Sequence, residues 1–474
     1  MHVVFMNPQG NFDPQDSYLT EHPDFGGQLV YVKELAQAMS RRGHKIDIVT
    51  RKVQDKSWPE FSSDQDSYPG FEENLRILRF SFGGKKFLKK EELWPHIPDL
   101  VDKMLQFYGE NQPDFITSHY ADGGYAAKLA LELAGIPFSF TGHSLGAQKL
   151  DKLALVNNSW SNLNEQFKFS KRIAAERNSM KYAAKVFVST EQERIDQYSH
   201  PLYQKAVDTF DSQKFEVIPP GVNETIFNQR LSATDTLQTS KLDAIPGLNK
   251  KPAILVSSRL DKKKNIEGLV KAYSESRALR NAASLVLCVR GVDDPKRDIF
   301  NLEKEEKEVL SNIIDTIDSS NIASQAYFLN ISSQLELAAT YRYFARLGSV
   351  FALTSVYEPF GLAPIEAAAT GLVPVVTKNG GPADIFSNGS GILIDPICSK
   401  SIANGLMEGL NKHTELSSAA AKHVNEKFSW SKTAESYITA IDKIVSTHIK
   451  SASAQESALD CDEEIKTYLT KRFA

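Results

Sequence analysis

Glu358-Pro359-Phe360-Gly361-Leu362-Ala363-Pro364-Ile365-Glu366 is the stretch on which the fold turns. Ahead of it runs Ser349-Val350-Phe351-Ala352-Leu353-Thr354, an apolar run suited to a buried strand of a parallel sheet. Behind it Ala367-Ala368-Ala369-Thr370-Gly371 reads as a helix with a glycine stop. Pro364 is tolerated in a first helical turn, where its missing N–H would have no partner anyway. The sequence thus predicts strand, glycine-containing turn and helix, with a carboxylate on either side, eight positions apart. The N-terminus of that helix offers free N–H groups to an anion. Taken alone, such a turn is most often an ordinary connection carrying two solvated acids.

The same alternation continues on both sides. Ala253 to Ser258 is a strand, followed by Arg259-Leu260-Asp261-Lys262-Lys263-Lys264-Asn265 and a helix from Glu267 to Ser274. Residues 284–290, 326–329 and 373–377 add strands, the last ending in Lys378-Asn379-Gly380-Gly381-Pro382. In the N-terminal half, Val3 to Met6 is a strand running into the loop Asn7-Pro8-Gln9-Gly10. Gly26-Gly27-Gln28 then opens a helix whose apolar face is Leu29, Val32, Leu35, Ala36 and Met39, and Lys45 to Thr50 is the next strand. Further strands fall at 75–80, 114–120, 136–141, 185–189 and 215–219. The predicted fold class is α/β, two doubly wound Rossmann-like domains whose carboxyl edges are free to face one central cleft. Residues 228–251 are polar. They place a linker at 231–251, between domains at 1–230 and 252–445, the last helix of the second able to pack back on the first. Residues 446–474 form an extension in which Ser451-Ala452-Ser453-Ala454 reads as a flexible link and Ile465 to Phe473 as a short helix.

Length and composition agree with this division. A chain of 474 residues is too long for one core. With 41% apolar and 24% charged residues it reads as a globular protein. A net charge of −4 gives no general attraction to nucleic acid or anionic membrane. Any anion site must be a local cluster of basic groups. Cys288, Cys398 and Cys461 are far apart and odd in number, without disulfide or metal spacing, which predicts a reducing compartment. Neither a signal peptide nor a run long enough to span a bilayer is visible, so a cytoplasmic location is expected.

Several strand ends carry candidate chemistry. Arg259 and Lys264 flank one loop, and a forked guanidinium with a point charge suits a diphosphate. Glu366 could accept from ribose hydroxyls, and Glu358 with the N–H groups of Phe360, Gly361 and Leu362 could hold a sugar. Gly26 and Gly27 read as a tight turn or as a place where backbone approaches a phosphate. Lys85, Lys86, Lys89 and Lys90 read as a solvated loop or, more sharply, as a phosphate loop. His143, just past a strand end with Ser144 and Lys149 following, favours a site role. For Arg172, spacing alone balances a surface charge against an inward-facing anion ligand. No Walker loop or G-x-G-x-x-G fingerprint appears in the usual context, so kinase and dehydrogenase readings are weak.

Arg259, Lys264-Asn265 and the E-x7-E pair Glu358 and Glu366 resemble the retaining family-four glycosyltransferases, which have the GT-B fold. Asn7-Pro8-Gln9-Gly10, His22-Pro23-Asp24-Phe25-Gly26-Gly27-Gln28, Thr141-Gly142-His143-Ser144-Leu145-Gly146 and Ile218-Pro219-Pro220-Gly221-Val222 narrow the likeness to members acting on a hexose phosphate. It runs from residue 1 to about residue 445. The resemblance implies transfer of glucose from UDP-glucose to fructose 6-phosphate, with Arg259 and Lys264 on the β-phosphate and His143 beside the donor sugar. It implies Glu366 on the ribose, Glu358 with Phe360, Gly361 and Leu362 on the glucose, and Gly26 and Gly27 beside the donor. Gln28, Lys90, Tyr120, Ser144, Lys149 and Arg172 would form the acceptor pocket. No cofactor is implied, with magnesium at most stimulatory. A separate phosphatase would be needed to release sucrose. The rival readings are GDP-mannose as donor to the same acceptor and a non-catalytic sugar-phosphate sensor.

Overall fold

The computed structural model describes residues 1–18, 25–155, 159–448 and 458–473. His22-Pro23-Asp24 and Ser451 to Ala454 lie outside the described residues. The chain forms two compact units, Met1–Ile218 with Thr433–Ala474, and Pro219–Lys432.

The first unit is built on eight strands: β1 (His2–Met6), β2 (Lys45–Arg51), β3 (Gln65–Asp66), β4 (Leu75–Phe80), β5 (Phe115–His119), β6 (Phe138–Thr141), β7 (Lys185–Val188) and β8 (Phe215–Val217). Their order is β3-β4-β2-β1-β5-β6-β7-β8. All pairs are parallel except β3 on β4. The central strands are continuous apolar runs because helices cover both faces. Val3, Val4, Phe5, Met6, Ile46 and Ile48 are wholly buried. Val3 pairs with Ile46 on one side and with Phe115 on the other. The strand order therefore reverses between β1 and β5, and their carboxyl ends, at Asn7 and Tyr120, flank the crevice where doubly wound sheets bind ligands.

The second unit has six parallel strands: β9 (Ala253–Ser257), β10 (Ser284–Cys288), β11 (Ala326–Leu329), β12 (Val350–Leu353), β13 (Val373–Thr377) and β14 (Ile392–Ile394). Their order is β11-β10-β9-β12-β13-β14. Here the reversal falls between β9 and β12, which pair through Val350 with Ile254 and Phe351 with Leu255. The loops after these two strands carry Arg259 to Lys264 and Thr354 to Glu358.

The stretch 231–251, read from its polarity as a linker, belongs to the body of the second unit. Ser232 and Asp235 form a capping box that starts the helix Ala233–Asp243. Asp235 takes two hydrogen bonds from Arg342, at 2.7 and 2.9 Å, and Gln238 donates to Thr340 at 2.9 Å. Both members of the ion pair are buried. Most of the stretch's polar groups face water, but Asp235 and Gln238 turn inward and fix the helix to Arg342 and Thr340. The chain leaves the first unit at Ile218 and rejoins it at Thr433, within the helix Trp430–Thr447. In that helix Tyr437 hydrogen-bonds Tyr31 at 2.8 Å and packs against Phe187.

Candidate active site

In the second unit the loop after β9 is shaped by its own side chains. Asp261 accepts from the Lys263 N–H at 2.9 Å and caps the short turn Lys262–Lys264. Asn265, with φ of 50°, ends that turn and begins the helix Ile266–Glu275. Its amide donates to the carbonyls of Thr354 at 3.2 Å and Pro396 at 2.7 Å, stitching together the loops that follow β9, β12 and β14. The result aims Lys264 at Glu358, Nζ to Oε2 2.6 Å, with side-chain exposures of 27% and 15%. Ser355 donates to the same oxygen at 3.2 Å.

The turn itself is fixed by the loop after β13. Glu358 N–H donates to the Asn379 carbonyl at 3.2 Å, Gly381 N–H to the Glu358 carbonyl at 2.9 Å, and Asn379 side-chain amide to Val356 at 2.9 Å. Gly380 has φ of 97°, and a Cβ there would collide with the Glu358 carbonyl oxygen. Gly361, at φ 94°, starts the helix Leu362–Ala369, whose N-terminus no side chain caps. That end is open to an anion. Phe360 is turned into the core against Phe428, so its backbone alone is offered to a ligand. Glu366 sits half-buried on the same helix and, after burial itself, is the main group pushing up the Tyr341 phenol. Arg259 is exposed and its guanidinium makes no hydrogen bond or ion pair among the described residues. Lys264 and Glu358 are thus brought together; Arg259 lies earlier in the loop that carries Lys264, and Glu366 on the helix that follows the turn.

In the first unit, Gly26 and Gly27 lie at the start of the helix Gly27–Ser40, again with no side-chain cap. Gly26 has φ of −86°, which any residue can adopt, and a Cβ on either glycine would meet nothing within 4 Å. Backbone strain is therefore no reason for glycine at these two positions. Gln28 donates to Asn7 at 2.7 Å, tying this helix to the loop after β1. His143, with φ of 54°, shares a 2.9 Å hydrogen bond with His119, whose other ring nitrogen meets the Thr117 hydroxyl at 3.2 Å. Tyr31 packs edge-on against His143 at 5.0 Å. Burial lowers both imidazoles, His143 to about 3, so both rings are neutral at ordinary pH.

Lys90, Tyr120 and Arg172 line one shallow concavity together with Glu91, Trp94, Asp122 and Phe167. Lys85, Lys86 and Lys89 are exposed and do not line it. Arg172 is only 5% exposed. Its guanidinium lies over the Tyr120 ring at 4.6 Å, donates to the Ser144 carbonyl at 2.7 Å and pairs with Glu176 at 3.0 Å. Glu176 in turn accepts from Gly146 N–H at 2.9 Å and from Tyr203. The inward reading of Arg172 is the one realised. Lys149 rests over Phe167, 4.0 Å from the ring centre, and Ser144, ahead of the same helix, is exposed.

Two groups escaped the sequence. His119 ends β5 and is fully buried; Asp122, two residues beyond the concavity's Tyr120, is 2% exposed. Burial pushes the Asp122 carboxyl up to about 7, against the pull of nearby backbone N–H groups and Lys90. The only signal for either was its place at the carboxyl edge. Among the described residues no group of three or more His, Cys, Asp or Glu could hold a metal ion, and no helix is long and apolar enough to cross a membrane.

Two doubly wound units, each with its charged and glycine-bearing loops at the strand reversal, define a GT-B glycosyltransferase. Residues 25–225 match the family described as Glycosyltransferase Family 4, and residues 239–426 match Glycosyl transferases group 1. A probable sucrose-phosphate synthase of Thermosipho melanesiensis is 44% identical over 447 residues, covering 94% of this chain and 97% of the relative. The sucrose-phosphate synthase of Spinacia oleracea is 32% identical over 511 residues, covering 93% of this chain and 47% of the relative. The chain spans about half the length of the plant relatives it matches. Among solved structures, a sucrose-phosphate synthase of Thermosynechococcus elongatus superposes with a TM-score of 0.68 at 22% identity, over 94% of this chain and all of that one. The chain belongs to the sucrose-phosphate synthase family, and is a hexosyltransferase.

Proposed function

We propose that the chain transfers glucose from UDP-glucose to fructose 6-phosphate, giving sucrose 6-phosphate and UDP with retention at the anomeric carbon. The observation that carries this reading is the concavity holding Lys90 and Arg172 around Tyr120, a built site for a phosphorylated sugar. A pinned guanidinium and a lysine suit a phosphate monoester, and the aromatic ring suits the face of a sugar. A phosphate monoester would add a dianion to that basic wall, which free fructose lacks. Lys149 and Ser144, beside the same helices, and Gln28 complete the acceptor contacts.

For the donor, Arg259 and Lys264 bind the β-phosphate, and the uncapped N-terminus of the helix Leu362–Ala369 adds its dipole. Glu358 and the N–H groups of Phe360, Gly361 and Leu362 hold the glucose hydroxyls, and Glu366 holds the ribose. Gly26 and Gly27 leave open space for donor atoms. His143 is neutral, so it offers the donor sugar a hydrogen bond without a charge.

The reaction breaks the bond from the anomeric carbon to the phosphate oxygen and forms one to the acceptor oxygen on the same face. The departing phosphate oxygen takes the acceptor hydroxyl's proton. Arg259 and Lys264 spread the charge left on UDP, the largest contribution expected of fixed groups in such a site. The Lys264–Glu358 pair holds both side chains in place before a donor arrives. Release of sucrose itself then requires a phosphatase step.

Incubating the protein with UDP-glucose, ADP-glucose or GDP-mannose, each with fructose or fructose 6-phosphate, tests the reading. Nucleotide release with UDP-glucose and fructose 6-phosphate alone is expected. Release with GDP-mannose instead would make it a mannosyltransferase, and release with no pair would favour the sensor.

A further inference from the structure

The helix Asp462–Phe473 belongs to the first unit and reaches three helices: Trp160–Phe167 and Phe169–Tyr182, which line the basic concavity through Phe167 and Arg172, and Gly146–Ala154, which carries Lys149. Ile465 is fully buried and Cys461 is 2% exposed, in one core with Leu150, Leu163 and Ile173. Each of the three helices has its own polar tie. Tyr468 donates to Asp151 at 2.8 Å, Trp160 donates to Asp462 at 2.8 Å, and the Cys461 thiol meets the Ser170 carbonyl at 3.2 Å.

These ties fall close to the groups assigned to the acceptor. Asp151 lies two positions after Lys149, and Ser170 two positions before Arg172. Trp160 opens the helix whose last residue, Phe167, supports the Lys149 ammonium. The first two helices have only 9 and 8 residues. Helices that short are marginal by themselves and depend on packing. Small misplacements of a binding group cost much of its effect.

We infer that the helix Asp462–Phe473 is a brace for acceptor affinity, with Tyr468 and Ile465 as positioning residues that hold Lys149 and Arg172 in register. The inference rests on the reading of the concavity as the acceptor site. The brace touches no substrate. It acts on the acceptor's KM and leaves the donor's alone.

The test uses full-length Tyr468→Phe and Ile465→Ala. Each is expected to raise the KM for fructose 6-phosphate about five- to tenfold, the size of one lost hydrogen bond or a modest packing loss, with the KM for UDP-glucose unchanged. Hydrogen–deuterium exchange should quicken over residues 146–154 and 160–167. Ile465→Val should restore most of the acceptor affinity. An unchanged acceptor KM, or both KM values rising together, overturns the brace, as does faster exchange spread evenly over the unit. If the wild-type protein turns over no UDP-glucose with fructose 6-phosphate, the functional reading fails by itself. Exchange then decides alone: local quickening keeps the brace, and none removes it.

Discussion

Lys264 and Glu358 hold each other at 2.6 Å, partly open to solvent. A pair so exposed contributes little to stability, about 1 kcal/mol at most. Lys264→Ala is therefore expected to leave the thermal midpoint within a few degrees and to lower turnover about 10²–10³-fold, as loss of a transition-state donor does. Near-normal turnover would take Lys264 out of the mechanism. His143 carries a pH prediction. Its ring falls from an ordinary 6.5 to about 3 because the fold buries it. The unfolded chain thus binds a proton below pH 6.5 that the folded one refuses. The stability of the neutral ring is present above pH 6.5 and is lost as pH falls towards 3, by roughly 4 kcal/mol over that window. Denaturant unfolding at pH 7.5 and 4.5 should show a steeper loss in the wild type than in His143→Asn, whose side chain tolerates the left-handed backbone. Sequence reached His143 through its place after a strand, next to Gly142. It could not reach His119 or Asp122, because nothing in a polar residue's identity says that neighbours will close over it. Likewise four lysines in six positions carry no period, and only the fold separates Lys90, at the rim of the concavity, from three that face water.

At the scale of elements, glycines do two different jobs. At Gly380 a side chain would strike the Glu358 carbonyl and φ is 97°. Gly380→Ala is expected to cost at least 2–3 kcal/mol and to weaken UDP-glucose binding, since it displaces the turn that carries Glu358. Gly26 is the opposite case, with open space where a Cβ would go. Gly26→Ala should shift stability by under about 1 kcal/mol, a helix N-cap effect. A large fall in turnover with that small change would show that a ligand fills the space; unchanged turnover would remove Gly26 from the donor site. The strands were legible because both faces of a parallel sheet are covered, which forces unbroken apolar runs such as Val350 to Leu353. The helix Ala233–Asp243 was not, since its buried Asp235–Arg342 pair reads as solvated polarity. Asp235→Ala should therefore cost about 3–5 kcal/mol by stranding Arg342, where a substitution in a true linker would cost nothing.

Across the whole molecule, both sheets reverse their order once, at β1/β5 and at β9/β12; Gly26, Gly27, Gln28 and Tyr120 follow the strands of the first reversal, and Arg259, Lys264, Glu358 and Glu366 those of the second. That much followed from strands alternating with helices. The discontinuous first unit did not, because contacts such as Tyr31 with Tyr437 join positions 406 apart and leave no local pattern. The expectation of a cofactor-free reaction predicts that turnover persists in excess EDTA, and its abolition would require a metal in the reaction. The discontinuity also orders events on the ribosome. Residues 219–432 are synthesised before Tyr437, Ile441 and Ile465, which fill the first unit's core. The second unit can close while its predecessor still exposes apolar surface, the condition in which nascent chains recruit chaperones. A released chain ending at residue 432 is accordingly expected to be cut by protease within residues 1–218 and spared within 219–432.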